Sequence, residues 1–194
     1  MKRILLVLLC LILVSFAKTN LAKSSKSILI TNKSELNING TSNVSDFKCV
    51  YNIKNLGHPI RIHYEKDNDV IRFENSILVL ENSGFDCGGK VINRDFHGLL
   101  QSDIYPEIIL RLKEVRVKHH KKNTADAIVE IEIAGIKNSY HMEIQFKNEQ
   151  DWHIAGQLKL NINKFNLKAP KKMLGLIVVS DEIEISFKLV IKEC

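Results

Sequence analysis

The sequence predicts an all-β domain in which one antiparallel sheet rolls into a barrel or folds into a sandwich. Three observations carry that expectation. Apolar and polar residues alternate with a period of two along most of the chain, short polar breaks separate the alternating runs, and no Pro- or Ser-rich linker divides them. Such alternation places successive side chains on opposite faces of a strand and does not fit a helical stripe. A near-all-β chain of this size closes at about eight strands, with an interior that packs solid or holds one small ligand.

The N-terminal segment stands apart. Lys2 and Arg3 precede an apolar run from Ile4 to Ala17, shorter than the roughly 20 residues of a spanning helix but suited to a secretory signal. Residues 1–17 are therefore expected to be removed. A cut after Ala17 uses the small residues Ser15 and Ala17, whereas a cut after Ala22 places the bulkier Asn20 at the outer position. Leu9, where a small residue would precede a lipidated cysteine, argues against that role for Cys10. The folded domain is expected over 27–194, in a periplasmic or secreted location.

Taken in order, Leu36, Ile38 and Gly40, then Phe47, Cys49, Tyr51 and Ile53, then Ile60, Ile62 and Tyr64 keep one parity, while 77–80 is apolar on both faces. A short helix is expected over 93–103, where Phe96, Leu99 and Leu100 share a face. Ile108, Leu110 and Leu112 alternate with Arg111 and Lys113, and Val129, Ile131 and Ile133 with Glu130 and Glu132. Tyr140, Met142, Ile144 and Phe146 follow, then Trp152, Ile154, Gly156, Leu158, Leu160 and Ile162. The other stretch that could be helical is 169–174. The last strand alternates through Ile183, Ile185, Phe187, Leu189 and Ile191, with Val190 the exception on its polar face. The breaks at 65–69, 118–124, 135–138 and 148–151 read as hairpin turns.

Charge and motifs exclude several function classes. The chain has 28 Lys+Arg and 22 Asp+Glu, two of the basic residues leave with the signal, and the rest interleave with acids, unlike the one-sided basic face of a nucleic-acid domain. Gly84 to Lys90 matches the glycine and lysine spacing of a phosphate-binding loop. Val91, however, stands where a magnesium-holding Ser or Thr belongs, and no long apolar-periodic helix is expected directly after it. Among seven histidines, His119 and His120 fall in a solvated turn and His141 and His153 on polar strand faces, so no metal site is expected. No Gly-x-Ser-x-Gly or His-Glu-x-x-His occurs, and neither a catalytic residue nor a cofactor is expected. Of the three cysteines left after signal removal, Cys49 and Cys87 lie in the patterned body and are the favoured disulfide pair. Cys194 is the last residue.

Leu36 to Phe47, Asn93 to Ile108 with its Tyr105-Pro106 step, and the run from Val129 to Lys164 together resemble the YceI-like family in order and spacing. The step from Ser102 to Tyr105 is shorter here than in many members, and Cys49 and Cys87 are not shared by the commoner ones. The resemblance implies an extended eight-stranded antiparallel β-barrel, lipocalin-like, with one or two short helices. It also implies export and an isoprenoid or fatty-acyl-type lipid in the lumen. Under that expectation the lining comes from Ile108, Leu110, Leu112, Val129, Ile131 and Met142, with Ile144, Phe146, Trp152, Ile154, Leu158 and Phe187. The basic turn 118–122 is a candidate for membrane-surface contact, and a homodimer is allowed. The competing expectation is a solid β-domain that binds protein or glycan at the cell surface, which a filled interior would favour.

Overall fold

The computed structural model describes residues 23–172 and 176–194; the expected signal segment lies outside them. Twelve strands form one sheet: β1 (Lys23–Ile30), β2 (Glu35–Ser42), β3 (Asp46–Tyr51), β4 (Ile60–Asp67), β5 (Val70–Glu81), β6 (Phe85–Asp86), β7 (Glu107–Val117), β8 (Thr124–Ile133), β9 (Ile136–Asn148), β10 (Trp152–Asn161), β11 (Lys171–Lys172) and β12 (Ile177–Glu193). Neighbours are antiparallel, in the order β1-β4-β5-β7-β8-β9-β10-β12, and β12 pairs back to β1, closing a ring of eight. The long strand β12 is the seam. One edge holds β10 along ten residue pairs, and the other holds β1 at its end and β2 along its first part.

The turn between β1 and β2 explains the exception at Val190. Thr31 N–H donates to the Val190 carbonyl at 2.9 Å, and the Val190 N–H donates to the buried Ser34 Oγ at 2.9 Å. The chain folds over Val190, which is buried although its parity points outward. A two-residue hairpin joins β8 to β9 through Ala134 and Gly135, at φ 48° and 77°. A two-residue turn with both residues left-handed matches the twist of the strands it joins. It takes fewer residues than the expected break at 135–138.

Of the two stretches that could be helical, the first is a helix with different bounds and the second is not. The first helix, α1, covers Lys90–Leu99 and so begins three residues early. Its start rests on Asn93, whose side-chain oxygen accepts the Cys87 N–H at 2.7 Å and whose amide donates to Asp86 at 3.0 Å. A helix therefore does follow the glycine-rich loop, but the loop is filled by its own chain, since Asp86 also accepts the Gly88 N–H at 2.9 Å. These two donors hold the Asp86 carboxyl below its ordinary value. Over the described part of 169–174 there is no helix: Lys171–Lys172 is a strand on β12, and Ala169 precedes Pro170, a position that disfavours helical backbone.

Candidate functional site

The inward-facing side chains divide into two zones. One end is solid: Leu80, Ile108, Ile131, Ile133, Leu158 and Leu160 are buried together with residues of β2 and β3, and the half-buried Ile92, Phe96 and Leu99 of α1 pack against them. The Cys49–Cys87 disulfide lies in this zone, tying β3 to the loop before α1, and Phe96 of the helix packs 5.4 Å from Phe85 between ring centroids. Towards the other end a second, small cluster gathers on Ala125, Ala127 and Ile144. Around it Leu112, Val115, Met142, Phe146, Ile154 and Phe187 pack with only part of their surface covered.

The twelve expected lining residues all fall on this inward side, and the register relates them. Leu110 pairs with Ile131, Leu112 with Val129, Ile154 with Phe146, and Gly156 with both Ile144 and Phe187. Ile108, Ile131, Ile144 and Leu158 are buried. The other eight are half-buried, and Phe146 and Trp152 approach to 6.3 Å between ring centroids. At this stretch of the sheet the inward side chains keep part of their surface accessible.

Glycines on the inner face do not widen it. A Cβ on Gly156 would sit 2.7 Å from Phe187 Cζ and 2.9 Å from Met142 Cε, so those two side chains occupy the space the glycine leaves. The ring of Phe47 covers Gly40 in the same way.

Several residues of the site escape the alternating pattern. The pairing of β7 with β8 shifts between Leu112 and Glu114, so the inward parity continues through Val115, opposite Ala127. A bulge of this kind re-aims every later side chain of a strand. In β5 the pairing shifts between Arg72 and Ser76, with Asn75 at φ 55°, and this leaves Leu78, Leu80 and Ser76 inward while Ile77 and Val79 are 39% and 40% exposed. Ser76 Oγ and the Tyr140 hydroxyl are buried without a hydrogen-bond partner. An unpaired buried hydroxyl costs on the order of 1–3 kcal/mol. Burial also raises the Tyr140 phenol above its ordinary value, so it stays protonated at neutral pH.

The segment from Asn93 to Ile108 acts as a clamp. Asn82, 1% exposed, donates to Ser102 Oγ at 2.9 Å and to the Tyr105 carbonyl at 2.8 Å, and its own carbonyl lies 3.2 Å from the His97 ring nitrogen. The Tyr105 ring in turn packs on Gly135. The helix and the entry to β7 are thereby fixed to the solid end. The basic turn is partly neutralised: Lys118 pairs with Asp126 at 2.7 Å and Glu143 at 3.1 Å, Lys121 with Glu143, and His119 with Asp69. His141 and His153 are exposed on the outer face.

The family model of the YceI-like domain matches residues 75–191, well over half of the chain. Similar solved structures include Burkholderia cenocepacia BcnA (TM-score 0.62, 14% identity, covering 83% of this chain and 98% of that one). A polyisoprenoid binding domain from Saccharophagus degradans, implicated in plant cell wall breakdown, gives 0.60 and 13%, over 88% of this chain and 100% of that one. The Campylobacter jejuni YceI protein gives 0.51 and 11%, over 63% and 73%. No curated protein matches the chain in sequence.

Proposed function

The chain belongs to the YceI-like domain family, and on that premise we propose that it holds a long-chain isoprenoid or similar amphiphile inside its barrel, for carriage or sequestration. The observation that carries this reading is the band of half-buried apolar side chains on contiguous strands, including Leu112, Phe146, Trp152, Ile154 and Phe187, at the end opposite the α1 clamp. Beneath that band the buried residues are Ala125, Ala127 and Ile144, two of them with small side chains. The similarity to a solved polyisoprenoid binding domain supports the same class of ligand.

The energetics suit a chain-like ligand. Each methylene moved from water contributes about 0.8 kcal/mol, so on the order of ten buried groups offset the cost of immobilising a flexible chain. The interior then selects for length and apolarity, and no catalytic step is assigned to any residue. Export is part of the proposal and rests on Lys2, Arg3 and the apolar run to Ala17. The N-terminal sequence of protein recovered from the bacterial periplasm is expected to start at Lys18 or Lys23, and an intact Met1 would remove export from the reading.

Trp152 is the single tryptophan of the chain and stands in the half-buried band, so it reports occupancy directly. Titration with phytol is expected to shift and quench its emission to saturation near one ligand per protein. Leu112→Glu with Ile154→Glu is expected to abolish the change while keeping the far-ultraviolet circular dichroism of a β protein. No saturable change in the wild type would contradict the proposal.

A further inference from the structure

Outside the barrel a groove of about 680 Å³ runs along α1, with the segment that returns from the helix towards β7 as its second wall. Lys90, Arg94 and His97 line it from the helix. Their spacing of four and three residues puts them on one helical face, in a strip about 10 Å long at 1.5 Å per residue. The second wall exists because the helix ends in a reversal. The Gln101 N–H donates to the Gly98 carbonyl at 3.2 Å and the Ser102 N–H to the His97 carbonyl at 3.0 Å, with Gln101 left-handed at φ 55°. Glycine or asparagine ordinarily takes that position. A glutamine held there against backbone strain sets a carboxamide in the groove, followed by Ser102 and Asp103.

The groups in the groove are unspent. Arg72, Arg111 and Arg116 on the barrel wall each pair with a glutamate, whereas Lys90 and Arg94 have no carboxylate partner among the described residues. The His97 Nε2 lies 3.2 Å from the Asn82 carbonyl, which can only accept, so this nitrogen carries the hydrogen and Nδ1 is left for a ligand. Ser102 Oγ accepts the amide of the buried Asn82 at 2.9 Å, which fixes the oxygen and leaves the hydroxyl hydrogen to be donated. Asp103 adds an acceptor, and Ile104, 70% exposed, an apolar lip. Two cations suit one anionic oxygen group. The carboxylate of Asp103 would repel a second anion and suits hydroxyl hydrogens instead.

We propose that this groove is a binding site, separate from the barrel interior, for a small acidic sugar: one carboxylate or phosphate held by Lys90, Arg94 and His97, and hydroxyls held by Gln101, Ser102 and Asp103. The apolar face of the sugar ring would lie on Ile104.

Glucuronate, glucose-6-phosphate, glucose and inorganic phosphate, titrated into isotope-labelled protein with backbone amide shifts as the readout, test the site. At least one of the two acidic sugars should move the Gly98, Gln101 and Ser102 amides to saturation with a Kd on the order of 1 mM, and the tighter of the two identifies the anionic group. Glucose and inorganic phosphate, each carrying half of the chemistry, should bind at least about fivefold more weakly. Lys90→Gln/Arg94→Gln should weaken the acidic sugar by about tenfold or more. Asp103→Ala should weaken the acidic sugar yet strengthen inorganic phosphate, a crossed response that a bare basic surface would not give. All three substituted residues are exposed, and unmoved amides in the barrel strands verify that the variants are folded. Absence of saturable shifts at these amides with either acidic sugar, inorganic phosphate binding as tightly as the sugars, or an affinity unchanged in Lys90→Gln/Arg94→Gln would each overturn the site and leave the lipid reading of the barrel standing.

Discussion

Breaking the disulfide between Cys49 and Cys87 has a calculable cost. The bridge closes a loop of 38 residues and fastens β3 to the loop that launches α1. Removing the cross-link frees the unfolded chain by about 13 cal/mol/K, or roughly 4 kcal/mol at room temperature. Cys49 is fully buried, and its replacement by alanine leaves a small void that adds on the order of 1 kcal/mol. Cys49→Ala/Cys87→Ala should therefore lose about 5 kcal/mol, a large share of the roughly 5–15 kcal/mol typical of a domain, and melt more than about 10 °C below the parent. Urea unfolding followed by Trp152 emission measures the difference, in a Cys194→Ser background that removes the exposed free thiol. Reductant present during unfolding and refolding should bring the parent down towards the variant and leave the variant where it is. A loss below about 1 kcal/mol, or a parent indifferent to reductant, would refute the assignment of this end of the barrel to the cross-link.

Other consequences are as direct. Gly156→Val should cost about 1–3 kcal/mol by overpacking against Phe187 and Met142, and Phe187→Leu in the same chain should recover part of it, both read from urea midpoints. Gly135→Ala places a side chain at φ 77° against the Tyr105 ring and should destabilise the β8–β9 hairpin by about 1–2 kcal/mol. The Glu143 carboxyl, hydrogen-bonded by Lys121 and Lys118, should titrate below its ordinary 4.5 in an NMR pH series. Its folded value is depressed, so the pairing helps above 4.5 and is lost as the pH falls through the folded value, and Lys118→Met/Lys121→Met should return the midpoint upward. The same pairing predicts weak sedimentation with phosphatidylglycerol vesicles, increased in Glu143→Gln/Asp126→Asn, which frees the two lysines; equal sedimentation would take the turn out of any membrane contact.

The strands β7, β8, β9, β10 and β12 are legible because each alternates over a core on one side only, and parity is a local property. Parity says nothing of register. The bulge at 113 that returns Val115 to the interior, and the bulge near Asn75 that holds Ser76 there, depend on partner strands, so a serine in an alternating run reads as an outward residue. β1 is not legible for a related reason: Lys23, Ser25 and Lys26 are exposed, and only Ile30 at its end is buried, which leaves little apolar pattern. The start of α1 was illegible because Gly89 supplies no side-chain cap; Asn93, three residues into the helix, reaches back to the preceding loop. Val190 looked like a flaw in its strand and is the point over which the β1–β2 turn closes.

Whether the band around Trp152 holds a ligand is decided most directly by native mass spectrometry of the mature protein, purified without detergent, beside Leu112→Glu/Ile154→Glu. The account predicts a wild type heavier than its polypeptide by one long-chain lipid, released by organic solvent, and a folded variant of bare polypeptide mass. A wild type of bare mass that also takes up no phytol or phytane would contradict it and make the barrel a solid one.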